Sequence, residues 1–96
     1  MTLVYAEEAV ADLVRLRAFI AEKDPGAAGR VAADLITRVQ QLQRFPHLGR
    51  SVTPAPQTDV VRDMVFGNSV ARYSVHTDAV VILRIWHHYE GRTPST

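Results

Sequence analysis

A chain of 96 residues is one domain's worth of sequence, large enough for one hydrophobic core, and 47% hydrophobic with 22% charged residues is ordinary globular usage and not that of a disordered chain. A formal net charge of +1 argues against a surface that binds nucleic acid all over. The absence of cysteine excludes disulfides, thiolate catalysis and thiolate metal sites together. Ten of the eleven basic residues are arginine, a side chain that offers a planar fork to carboxylates and phosphates. No apolar run has the length of a membrane span. Glu7 and Glu8 interrupt any leader-like stretch, so the expectation is a cytoplasmic protein outside the membrane.

Thr2–Tyr5 is a short apolar stretch that suits an edge strand. From Glu7 the period changes. Ala6, Val10, Leu13, Leu16 and Ile20 recur at helical spacing, and Glu7 and Glu8 fall in the first turn, where the helix dipole favours carboxylates. The pattern stops at Lys23-Asp24-Pro25. Asp24 suits an N-cap and Pro25 the first helical position, so a second helix follows at once, turning Ala28, Val31, Ala32, Leu35, Ile36, Val39 and Leu42 inward. So short a gap predicts an antiparallel helical hairpin over about 6–44, ended by Pro46. A loop is expected over about 46–59, carrying Pro54 and Pro56.

The last third holds three β-rich runs, Val60–Phe66, Ser69–His76 and Val80–His88, predicting a meander over about 60–88. Gly67-Asn68 reads as a tight turn, which places Asp63 opposite Arg72. A three-residue loop at Thr77-Asp78-Ala79 would pair His76 with Val80. Arg72, Ser74, His76, Val80, Ile82, Arg84, Trp86 and His88 would then share an outward face. Ala71, Tyr73, Val75, Val81, Leu83, Ile85 and His87 would form the apolar face under the helices. A two-residue loop would instead set Arg72 beside Leu83.

Other chemistry has little support. His47 and His76 stand without ligand spacing, so no metal is expected, and Ser69 and Ser74 lack an orienting His and Asp. The scattered glycines make no phosphate-binding loop, so no cofactor is expected.

Four runs stand out: Phe19-Ile20, Asp24-Pro25-Gly26-Ala27-Ala28, Leu42-x-x-Phe45-Pro46-x-x-Gly49-Arg50, and the ending Tyr73-x-Val75-x-x-Asp78-x-Val80-x-Ile82-Leu83-Arg84-Ile85-x-His87. Together they resemble the toxins of the ParE/RelE superfamily of type II toxin–antitoxin modules, closer to the ParE branch. The resemblance spans about Tyr5 to Arg92. It implies an α+β fold of order β-α-α-β-β-β over a single domain 1–96, with the helical hairpin on one face of a small, mainly antiparallel sheet.

The resemblance also implies a toxin silenced by a cognate antitoxin, whose apolar, acidic segment would lie on Leu13, Leu16, Ile20, Val31, Leu35 and Arg62. In the ParE reading the toxin inhibits DNA gyrase by binding, through Arg72, Arg84, Trp86, His87, His88, Tyr89 and Arg92; Trp and Arg are residue types that dominate interface energetics. In the alternative, similar to RelE and YoeB, the protein is a ribosome-dependent mRNA endoribonuclease using Arg62, Arg84, His87, His88 and Tyr89 for proton transfer and phosphorane stabilisation. Val70-Ala71-Arg72-Tyr73 lies where such nucleases carry Arg-Leu-Val-Tyr. Val60–Phe66 offers only Arg62 where they carry lysines.

Overall fold

The computed structural model describes residues 1–52 and 61–87. In chain order the elements are β1 (Thr2–Tyr5), α1 (Glu7–Lys23), α2 (Pro25–Gln40) with a 3-10 turn at Gln41–Gln43, β2 (Arg50–Ser51), β3 (Val61–Phe66), β4 (Ser69–Val75) and β5 (Ala79–His87). The sheet order is β1-β5-β4-β3-β2, with β1 parallel to β5 and every other pairing antiparallel. This is the expected α+β architecture, a helical hairpin on a mainly antiparallel sheet. Chain order and sheet order differ at one place: the first strand pairs with the last.

The hairpin forms for the reasons its sequence supplies. The Asp24 carboxylate accepts the Ala27 N–H at 3.2 Å, capping α2, and Pro25 occupies its first turn. Leu35, Val39 and Leu42 of α2 and its 3-10 turn bury themselves against Ala9 and Leu16 of α1 and against Met64, Ala71, Tyr73, Val80, Ile82 and Ile85 of the sheet. The inward stripe of α1 is rotated from the expected one. Ala9, Asp12 and Leu16 are buried, whereas Val10 and Val14 are exposed, Val14 at 68%. In α2, Ile36 is likewise exposed rather than inward. The segment after Pro46 contains β2, a two-residue edge strand absent from the sequence reading, with Arg50 opposite Asp63 and Ser51 opposite Arg62. Of the expected loop over 46–59, residues 53–59 lie outside the described residues, as does Val60.

Two register expectations hold. Gly67 adopts φ +56° in the β3–β4 turn, a left-handed value that glycine takes without a Cβ penalty. Asp63 stands opposite Arg72. The β4–β5 hairpin is different from the three-residue loop. Its turn is two residues, Thr77-Asp78, closed by His76 N–H to Ala79 C=O at 2.8 Å, and near it Val75 pairs with Val80 and Tyr73 with Ile82. Beyond a bulge the register changes, so that Arg72 faces Arg84, Val70 faces Trp86 and Ser69 faces His87. Leu83 is the extra residue. The bulge lets a two-residue turn coexist with Arg72 opposite Arg84, removing the conflict between Arg72 and Leu83.

The faces change accordingly. Val80 and Ile82 lie on the core side, fully buried beside Tyr73 and Ala71, instead of on the outward face. Trp86 does lie across the sheet from the core residue Ile85, but it is only 5% exposed and is not the outward-facing aromatic that the sequence suggested.

Candidate functional site

β5 carries most of the expected site residues, and α1 holds its far end. β1 runs beside β5 only as far as the Tyr5–Ile82 pair, and the Ala6 N–H adds one last bond to the Ile82 C=O at 2.9 Å. Past that point Asp12 takes over. Its carboxylate accepts the Ile85 N–H at 2.8 Å and the Arg84 guanidinium at 2.8 and 3.2 Å, and Arg15 donates to the same carboxylate from one turn along. Arg15 also donates to the Ile85 C=O at 3.3 Å. Asp12 is 1% exposed. Burial alone would raise its carboxyl, but the hydrogen bonds from Arg84, Arg15 and the Ile85 N–H outweigh burial and hold it below the ordinary carboxylate range. The same contact raises Arg84, led by its hydrogen bond to Asp12. Sequence reasoning missed Asp12. The available signal was its position inside the stripe Ala9, Asp12, Leu16, where a lone charge at helical spacing requires a partner.

Arg72 forms a two-pronged ion pair with Asp63, at 2.8 and 3.1 Å, and its guanidinium lies 5.2 Å from the centre of the Trp86 ring. Arg62 sits on the other, core-side face, opposite Tyr73, and donates to the Gly49 C=O at 2.6 Å and the His47 C=O at 3.5 Å. The structure therefore keeps Arg62 apart from Arg72, with Arg62 and Arg84 on strands separated by β4. His88, Tyr89 and Arg92 lie outside the described residues.

The Phe45–Arg50 segment is tied down from below. The buried Tyr73 hydroxyl accepts the Gly49 N–H at 2.8 Å, and desolvation by burial raises the Tyr73 phenol above its usual value. A Cβ at residue 49 would lie 2.7 Å from both the Asp63 carbonyl oxygen and the Tyr73 hydroxyl. Only glycine allows this approach, which gives the Gly49 of the sequence pattern a steric cause. Gly49→Ala is expected to cost about 1–3 kcal/mol of stability in urea unfolding. A loss below about 0.5 kcal/mol would mean that the loop can lift away from Tyr73 at no cost.

His87 belongs to a different surface from Trp86. Its ring lies 6.3 Å from that of Phe19, tilted at 45°, and it lines an open groove of about 310 Å³ with Phe19, Ile20, Lys23, Asp24, Val31 and Asn68. A second hollow of about 410 Å³ continues past His87 to Phe66 and Arg38. Of the residues expected to meet a partner on the helices, Ile20 and Val31 line this groove and Leu13 is half-buried. Leu16 and Leu35, 2% and 1% exposed, are core. No three potential metal-binding side chains come together among the described residues. No described helix is long and apolar enough to cross a membrane.

Residues 3–91 match the family model for the ParE toxin of type II toxin–antitoxin systems, parDE. The chain belongs to the ParE toxin family. Two toxins of Caulobacter vibrioides are similar in sequence. Toxin RelE1 is 34% identical over 93 residues, covering 95% of this chain and 97% of that one. Toxin RelE3 is 36% identical over 81 residues, covering 84% and 87%. The fold is shared with the chromosomal ParDE system of P. aeruginosa, at TM-score 0.77 and 24% identity over 91% of this toxin and 95% of that chain. It is also shared with the toxin–antitoxin complex RelBE2 of Mycobacterium tuberculosis, at TM-score 0.67 and 22% identity over 90% and 95%. The ParE/RelE resemblance of the sequence motifs is thus met by family, relatives and fold alike.

Proposed function

We propose that this type II toxin acts as ParE-like toxins do, by binding DNA gyrase and stalling replication without cutting a substrate, and that a cognate antitoxin neutralises it. The observation that carries this reading is the state of the sheet cations. Arg84 is tied to Asp12, Arg72 to Asp63, and Arg62 to the Gly49 carbonyl. A ribonuclease needs cations aimed at the charge that develops on the scissile phosphate. Here all three guanidiniums hold the protein's own carboxylates and carbonyls, an arrangement suited to a fixed contact surface. With Trp86 covered, the contact falls to the partly exposed Arg72 and Arg84 and to the chain that follows β5, His88, Tyr89 and Arg92.

The antitoxin is assigned to the groove of Phe19, Ile20, Val31 and His87, whose apolar walls suit an apolar segment, with Lys23 and Asp24 side by side at its edge. The antitoxins in the ParDE and RelBE2 assemblies support such a partner. An occupant there would cover His87 directly.

A second reading, the ribosome-dependent endoribonuclease, draws on the RelE names of the two Caulobacter relatives and on His87 in an open groove immediately before His88-Tyr89. Purified toxin, added in parallel to a gyrase supercoiling assay and to programmed ribosomes carrying labelled message, separates the two. Supercoiling is expected to be inhibited and the message to stay intact. Cleaved message with normal supercoiling would replace the first reading by the second.

A further inference from the structure

β5 outruns its neighbour. β1 covers β5 from Ala79 to Ile82, and residues 83–87 continue with no strand on that side among the described residues. Such an exposed edge leaves backbone donors and acceptors unmatched. At Ile85 both groups are matched by side chains of α1, its N–H by Asp12 and its C=O by Arg15. A neighbouring strand would offer the same donor-and-acceptor pair. The Asp12 carboxylate also fixes Arg84, the residue that follows the bulge. It thus fixes the register of β5 just where Leu83 has altered it.

Stability alone is a poor account of this arrangement. A buried ion pair is often no more stabilising than well-packed apolar side chains of the same volume. An apolar residue at position 12 could fill the space, but it could not hold the Ile85 N–H and the Arg84 guanidinium at once. Geometry is what the carboxylate adds.

We propose that Asp12, with Arg15, is a positioning residue of the toxin: it holds the Arg84–His87 end of β5 in sheet geometry. The inference rests on the reading that the end of β5 contacts the target, and it assigns to α1 the control of that end.

The test compares wild type, Asp12→Asn and Arg15→Ala by amide hydrogen exchange and by growth arrest on induction in a bacterial host. Asp12→Asn keeps an acceptor near Ile85 but loses the charge that binds Arg84. Arg15→Ala keeps Asp12 with its bonds from Arg84 and the Ile85 N–H, and removes the Arg15 bonds to the Asp12 carboxylate and to the Ile85 C=O. In both variants Val80 and Ile82, which pair with β1, are expected to keep their slow exchange. Ile85, Trp86 and His87 are expected to exchange about tenfold faster, and growth arrest to need about tenfold more inducer, with the smaller effect in Arg15→Ala. Full toxicity despite fast exchange at Ile85 would overturn the proposal, and so would lost toxicity with exchange at Ile85 unchanged. If Asp12→Asn loses protection throughout the sheet, Arg15→Ala decides by the same two outcomes. Growth arrest does not depend on which target is struck, so a wild type that arrests growth without inhibiting supercoiling removes gyrase alone. A wild type that arrests no growth overturns both readings.

Discussion

Asp12→Ala is expected to destabilise the folded toxin by about 3–5 kcal/mol, because it leaves Arg84 and the Ile85 N–H facing a cavity without their shared acceptor. For a domain whose whole stability is of order 5–15 kcal/mol, this brings the fold close to its limit. Chemical unfolding of the two proteins at neutral pH measures it. The pH dependence supplies an independent sign. The folded-state carboxyl of Asp12 titrates below its unfolded value, so its contribution is complete above the ordinary aspartate value of about 3.9 and is lost as pH falls through the folded one. Wild type should therefore lose stability with acid more steeply than Asp12→Ala, and the gap between the two should narrow below about pH 4. A gap that stays constant from neutral pH into acid would show that the anion is not what α1 contributes to β5.

Leu35→Ala is expected to cost about 2–5 kcal/mol, the range for removing a core leucine. Leu35 is 1% exposed and packs among Leu16, Val39 and the sheet, so its truncation should act on stability far more than on antitoxin affinity. Val31→Ala should do the reverse, since Val31 is half-buried on the groove wall. Thermal melting beside antitoxin titration, at a temperature where both variants are folded, distinguishes them. Weakened antitoxin binding by a folded Leu35→Ala of normal stability would move the antitoxin surface into the helix–helix seam.

Local chemistry was legible in the sequence wherever one residue decides the outcome. Asp24-Pro25 caps and starts α2, Gly67 takes the positive φ of its turn, and Asp63 meets Arg72 across the strands. The register of the last hairpin was not legible in the same way. A two-residue turn satisfies the residues next to it, and a one-residue-longer register satisfies Arg72 and Arg84. The chain uses both by spending Leu83 on a bulge. Period-2 reasoning admits one register per strand pair, so it placed Val80 and Ile82 on the wrong face.

The site was read through its cations, and one of its anions, Asp12, was overlooked. Arg84 looked like part of an outward basic face as long as its partner was unknown. Asp12 lies far away in sequence from Arg84, and on a helix rich in Glu and Arg it reads as one more solvated polar residue. Gly49 and Tyr73 were legible as parts of a pattern but not as a contact, because a missing Cβ shows its purpose only beside the atom that it would strike.

The pairing of β1 with β5 joins the first and last described strands, Thr2 standing next to Ala79. A chain made from its N-terminus holds its first strand ready long before the last one exists, and contacts so distant in sequence form slowly. The sheet, and with it the Asp12 clamp on β5, has no completed form on a nascent chain that stops short of residue 87. Translation halted early, or a truncated message, would yield helical hairpin without poison, and an antitoxin already present would meet each toxin molecule at the moment it first becomes dangerous.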